Sequence, residues 1–160
     1  MTIPFIEKYA LTLEPYSKIK ADLGLTTDEF YALTKTLASE IEKARKVRQL
    51  YHRKGFKIIG LLEFYHWWTK QEKVCNYCGI NEQQLSILFE KLKEFNKRPT
   101  RGKTLELDRR ISNKSYDDIE NLVLCCYICN NAKSDFFNHE QFIPVGQSIK
   151  LVWTNILNPE

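Results

Sequence analysis

Cys75-Asn76-Tyr77-Cys78-Gly79 and Cys126-Tyr127-Ile128-Cys129-Asn130 are two C-x-x-C pairs, and their reading decides the fold. Each pair can form a knuckle that offers two thiolates to one ion, and two knuckles complete a tetrahedral four-cysteine zinc site. Gly79 strengthens this reading, because the tight turn under such an ion needs a residue that tolerates positive φ. The competing reading is a set of redox thiols or unrelated buried cysteines. Cys125 offers a second register, Cys125-x-x-x-Cys129. The register starting at Cys126 repeats the spacing of the first pair, and neighbours on a strand point to opposite faces, so Cys125 and Cys126 do not both reach one ion. Cys125 is then a small buried hydrophobe.

The span between the knuckles, residues 79–125, is too long for a simple ribbon loop, so a folded insert is expected there. Asn81 is placed to cap a helix carrying Leu85, Leu88, Phe89, Leu92 and Phe95 at helical spacing, closed by Pro99. After a turn at Arg101-Gly102, Lys103 to Asp108 alternates as a half-buried strand, with Leu105 and Leu107 on one face and Thr104, Glu106 and Asp108 on the other. A polar loop from Ile111 to Asn121 leads to a short apolar strand, Leu122 to Cys125. The second knuckle runs into a polar segment, Asn130 to Asp135, which reads as a short helix.

On the other side of the first knuckle, Thr26-x-x-Glu29 is a capping box that opens an apolar stripe of Phe30, Leu33, Leu37, Ile41, Ala44, Val47 and Tyr51. This predicts one long amphipathic helix ending at Gly55. A second, richly aromatic helix is expected over 58–73, with Phe64, Tyr65, Trp67 and Trp68 packing the helical lobe onto the zinc core in preference to stacking on bases.

The 160 residues, with 43% hydrophobic and 28% charged, suit one compact domain or a core with an appended helical lobe. With 6 Gly and 5 Pro and no repeat period, collagen, disordered and solenoid classes are excluded. The most apolar window, Ile58 to Trp68, is interrupted by Glu63 and His66, well short of the ~18 apolar residues of a membrane span. Glu7, Lys8 and Glu14 lie where a secretory signal would have its apolar core, so a cytoplasmic protein is expected. In that compartment the 5 cysteines argue for metal or catalytic thiols and against a disulfide framework.

A net charge of +4 is weak by itself; its distribution says more. Lys43, Arg45, Lys46, Arg48, Arg53, Lys54 and Lys57 follow one another without an acid, and a second basic stretch runs from Asn96 to Lys103. Local excess of this kind is a footprint for phosphate, the competing reading being a solvated helix face.

Four pieces in order resemble the HNH nucleases of the His-Me finger, or ββα-metal, group: the knuckle Cys75 to Gly79, Leu105-Glu106-Leu107-Asp108-Arg109-Arg110, Asp118-x-x-Asn121-Leu122-Val123-Leu124, and Cys126-x-x-Cys129-Asn130-Asn131-Ala132-Lys133-Ser134-Asp135. The aromatic helix before the first knuckle is similar to that of phage and bacterial members. The resemblance covers Cys75 to about Phe142. It implies that Asp108 and Asn130 are ligands of a catalytic divalent cation, Mg²⁺ or Mn²⁺, and that Asn121 holds the loop that aims the catalytic base. It also implies that Cys75, Cys78, Cys126 and Cys129 bind structural zinc, and that Lys133 lies near the scissile phosphate. Arg110 joins Arg45, Arg48 and Lys54 as expected contacts to nucleic acid, DNA first and RNA second. His52 and His139 match no motif position and read as surface residues.

A carboxylate and an amide oxygen suit a hard cation that stabilises the charge of a phosphoryl transition state. The chain departs from the family at one position: Arg109 stands where the general base, a His directly after the Asp, is expected. A guanidinium stays protonated and is no base at neutral pH. Three accounts follow: a base from elsewhere, His66 or Tyr116; Arg109 as an electrostatic clamp on the phosphate; or a zinc-stapled nucleic-acid-binding module without catalysis. The sequence thus predicts an α+β protein, with a helical lobe over residues 1–73 and a zinc-bound ββα-metal core over 74–160, acting as an HNH-type DNA endonuclease.

Overall fold

The computed structural model describes residues 2–94 and 102–158. The chain divides into two compact units, Met1–Lys70 and Gln71–Glu160.

The first unit is helical throughout its described residues. α1 (Thr2–Ile6) runs on into a π-helical turn (Glu7–Leu11), followed by α2 (Tyr16–Leu23), α3 (Thr27–Thr36), α4 (Ala38–Lys54) and α5 (Leu61–Lys70). Phe5, Ala10, Leu11, Ile19, Phe30, Ile41 and Ala44 form its buried core. Phe30 meets Tyr16 and Phe5 edge-on, with centroids 4.5 Å and 5.3 Å apart. The capping box at Thr26 is present, the Glu29 carboxylate accepting from Thr26 N at 2.8 Å. The long helix expected from there to Gly55 is two helices, because the backbone leaves helical geometry at Leu37 (φ −99°, ψ 17°). Phe30 on α3 and Ile41 and Ala44 on α4 share one core across the break. The aromatic helix is shorter than expected. It starts after Gly60, whose N–H donates to the Glu63 carboxylate, and it ends at Lys70. Its Trp67 and Trp68 rings pack on Phe64 at 5.8 Å and 6.0 Å.

The second unit is built on the two knuckles. In the first, Gly79 takes φ 73° and its N–H donates to Cys75 O, closing the turn that glycine permits. Asn76 N donates to Leu124 O at 2.8 Å and so fastens this knuckle to the sheet. α6 (Glu82–Lys91) carries the expected Asn81 cap and buries Leu85, Leu88 and Phe89. The expected closure through Phe95 and Pro99, most of the basic stretch from Asn96, and Arg101 of the turn lie outside the described residues. β1 (Glu106–Arg109) and β2 (Leu122–Cys125) form a two-stranded antiparallel sheet in the register Glu106 to Cys125, Leu107 to Leu124, Asp108 to Val123 and Arg109 to Leu122. β1 begins later than the alternation predicts, because Leu105 N donates to the Glu82 carboxylate at 3.0 Å instead of to a strand. α7 (Tyr127–Lys133) follows the second knuckle, and α8 (His139–Leu157) ends the unit. The protein is therefore α+β, with a compact ββα unit made of β1, β2 and α7.

Candidate active site

The cysteines of the two knuckles meet. The sulfurs of Cys75, Cys78, Cys126 and Cys129, all buried, lie within 4.8 Å of one another, and those of Cys78 and Cys126 are 3.8 Å apart. Four sulfurs each about 2.3 Å from a tetrahedral zinc would stand about 3.8 Å apart, so spacing and donor chemistry both fit that ion. Hydrogen bonds from Cys126 and Cys129 hold the Cys75 and Cys78 thiols below the ordinary thiol range, while Cys126 and Cys75 push Cys129 up. Four sulfurs this crowded do not all ionise without a cation between them. These residues can hold a metal ion. Cys125 stays outside the cluster on β2, where burial pushes its thiol up.

Above the cluster, α7 lies across one face of β1. Asn130 and Lys133 are one helical turn apart, and Glu106 and Asp108 are two residues apart on the strand, so each pair shares a face. Asn130 Nδ2 donates to Glu106 Oε2 at 2.7 Å, and Lys133 Nζ lies 3.4 Å from Asp108 Oδ2. The strand face expected to be solvated is thus covered, and Asp108 is buried. Its Oδ2 also accepts from Tyr77 Oη at 2.7 Å. Burial and the Asp108 carboxylate push the Tyr77 phenol far up, so it stays a donor. Tyr77 is wedged between knuckle and helix: its ring meets Phe142 edge-on at 5.1 Å, and its backbone lies against Gly146 of α8.

Lys133 corrects the sequence reading. Expected beside the scissile phosphate, it is fully buried, and its ammonium donates to Arg109 O at 2.8 Å and Ser112 Oγ at 2.9 Å besides facing Asp108. It positions the strand end and the loop after it and has no free face for nucleic acid. Asn121 is buried as well. Its Oδ1 accepts from Ile111 N at 2.9 Å and its Nδ2 donates to Ile111 O and Ser115 O, which holds the loop 111–115.

Arg109 sits at the rim. Its guanidinium lies over the Tyr116 ring at 4.7 Å and donates to Lys114 O at 3.1 Å and to exposed Asp135 at 3.2 Å. Tyr116 is therefore in the site, packed under Arg109. His66, the other candidate base, belongs to the first unit, where it pairs with Glu7 at 3.1 Å. Arg110 reaches His139, whose Nε2 lies 3.2 Å from a guanidinium nitrogen and accepts from it. His139, read from the sequence as a surface residue, is half-buried against Tyr77, and its Nδ1 has no partner. Burial and then Arg110 lower its pKa.

Three residues of this site escaped the sequence reading. Glu106 could have been found, since strand alternation puts it on the face of Asp108. Tyr77 sits inside a knuckle, where position predicts exposure no better than burial. His139 carries no local signal, because only the packing of α8 brings it to the site. In the first unit, Arg45 is exposed with its guanidinium 5.5 Å from the Tyr9 ring, while Arg48 and Lys54 are half-buried, Arg48 Nε being buried without a partner.

No family profile and no curated protein sequence matches the chain. Among solved structures, it is similar to PacI, described as a rare-cutting HNH restriction endonuclease that perturbs DNA. The likeness covers 69% of this chain and 76% of that one, at 26% identity and a TM-score of 0.53. The fold is HNH-like. In that HNH-like frame the strand-borne Asp108 and the helix-borne Asn130 occupy adjoining elements of the ββα unit, with the cysteine cluster at the foot of α7. Among the described residues, no helix is long and apolar enough to cross a membrane.

Proposed function

We propose that this chain is a divalent-metal-dependent endonuclease that hydrolyses phosphodiester bonds in DNA, with its HNH core over residues 74–160 and a DNA-contacting helical lobe over 1–73. The observation that carries the reading is the placement of Asp108 on β1 and Asn130 on α7 across one face of a ββα unit, in a chain similar to an HNH restriction endonuclease. The hydrogen bond from Tyr77 and the ion pair with Lys133 both fall on Asp108 Oδ2, which leaves Oδ1 for a cation. Because Asn130 donates its amide nitrogen to Glu106, its oxygen is the atom turned to a ligand. Asp108 and Asn130 would hold Mg²⁺ or Mn²⁺, which supplies charge stabilisation to the phosphoryl transition state. The four knuckle cysteines would hold zinc as scaffold.

Arg109 is the phosphate clamp of this site. Stacking on Tyr116 fixes the guanidinium plane, and the donors now spent on Lys114 O and Asp135 suit a phosphate oxygen pair. Arg110, held by His139, is a second phosphate contact, and Arg45, Arg48 and Lys54 are the DNA contacts proposed for the helical lobe. One observation favours a second reading, a DNA-binding module without hydrolysis: Arg109 occupies the position where a base is needed.

Plasmid nicking with Mg²⁺ or Mn²⁺ separates the two. The wild type is expected to cut, and Asp108→Ala to lose cutting while keeping its zinc, since the two ions use separate ligands. Arg109→His distinguishes a clamp, which loses activity, from a site lacking only its base, which gains up to about 10²-fold. No cutting by either protein with any divalent metal, with DNA binding intact, would leave the binding module.

A further inference from the structure

Phe136 is 89% exposed, the most exposed large apolar side chain among the described residues. It projects from the turn between α7 and α8, and that turn is built with care. Ser134 takes φ 49° and ψ −151°, a backbone conformation that residues with a Cβ rarely adopt, and it persists only where surrounding contacts over-determine it. Those contacts are present. Ser112 Oγ lies 3.3 Å from both Ser134 O and Phe137 O, and it is held in place by the buried Lys133 ammonium at 2.9 Å. Phe137 N donates to Lys133 O at 3.3 Å, and Asp135 is tied to Arg109. The same lysine faces Asp108 and holds Arg109 O. The network that sets the candidate catalytic strand therefore also sets the projection of one bare aromatic ring.

We propose that Phe136 is a wedge that stacks on a nucleobase of the DNA bound at this site, opening the base step beside the scissile phosphate. The inference rests on the DNA reading of the site. A duplex is the occupant that fits, because Asp135, next to Phe136, is bonded to the Arg109 guanidinium and His139, three residues on, to that of Arg110, so two cations that suit a phosphate backbone adjoin the turn, while a base step supplies an apolar slot of one ring's thickness. A second copy of the chain fits less well. Phe137, 6.1 Å away between ring centroids and 36% exposed, is the ring's aromatic neighbour, and two such side chains fall far below the ~800 Å² per partner of a stable interface. Holding the wedge on a strained, clamped turn removes the ordering cost that a flexible loop would incur on insertion.

Permanganate oxidation of unstacked thymines on a duplex fragment reads the wedge without requiring cleavage, and cleavage of the same fragment with Mn²⁺ reads the nuclease. Wild type is expected to make thymines reactive and Phe136→Ala to abolish this. Cleavage of paired DNA should fall by roughly 5- to 150-fold, the range of one base–aromatic stack. Phe136→Trp should restore both readouts, and a mismatch placed at the cut site should rescue Phe136→Ala. Zinc content and the salt slope of binding should not change, since no phosphate contact is lost. Thymine reactivity without cleavage by wild type would keep the wedge and sink the nuclease. Cleavage without thymine reactivity, or equal reactivity in wild type and Phe136→Ala, would overturn the wedge. So would sedimentation that finds wild type a dimer and Phe136→Ala a monomer.

Discussion

Replacing Lys133 by Met separates the role the structure gives this residue from the one its position in the sequence suggests. Methionine keeps the unbranched stem and removes the ammonium, which in the folded protein is fully buried, 3.4 Å from Asp108 Oδ2, and bonded to Arg109 O and Ser112 Oγ. Removing one partner of a buried ion pair costs about 3–5 kcal/mol, because the remaining charge stays out of water uncompensated. Tyr77 still donates to Asp108, which places the expected loss toward the lower end of that range. For a chain of this length 1 kcal/mol moves Tm by roughly 2–4 °C, so a fall of about 6–15 °C is expected in zinc-replete protein. Asp108→Asn/Lys133→Met should recover part of this loss, since no bare carboxylate is then left, and a double-mutant cycle by urea unfolding measures the coupling. DNA affinity of the folded Lys133→Met protein should change little. An unaltered Tm together with weakened, less salt-sensitive DNA binding would refute the positioning role and restore Lys133 as a phosphate contact.

Chelation should unfold the Gln71–Glu160 unit, because a structural zinc contributes on the order of 10–16 kcal/mol, as much as a whole domain's stability; metal analysis should find one zinc per chain, lost in Cys78→Ser. The depressed pKa of His139, caused by burial and the Arg110 and Lys133 charges against Asp108 and Glu140, makes a stability contribution that is full above pH 6.5 and fades as pH falls toward the folded value. Urea unfolding at pH 7.5 and 5.5 with excess zinc should show this loss in wild type and a smaller one in His139→Gln. Gly146→Ala would put a Cβ 2.7 Å from Tyr77 O and 2.8 Å from Tyr77 Cβ, so α8 must shift, at a cost of about 1–3 kcal/mol readable as a lower Tm.

Local and periodic features were legible without coordinates. The two C-x-x-C spacings, the capping box at Thr26, the helix cap at Asn81 and the strand Leu122 to Cys125 act over a few residues, and a few residues of sequence display them. Long-range packing was not. The break at Leu37 interrupts no step of the apolar stripe and so left no mark in its periodicity, and α8, opened by an Asn138 to Gln141 capping box, brings His139 and Gly146 to Tyr77 from far along the chain. The candidate site divides in the same way. Residue type and spacing alone nominated the four cysteines, because metal chemistry restricts which side chains serve and how far apart they stand; Asp108 and Asn130 were nominated by the resemblance to HNH nucleases. Which charge faces which was decided only by α7 crossing β1: it buries Lys133 against Asp108, turns Glu106 inward onto Asn130, and leaves Arg109 at the rim on Tyr116. A lysine in a sequence is a cation whose surroundings are unknown, and burial, which belongs to the fold, settles whether it holds phosphate or holds the protein together.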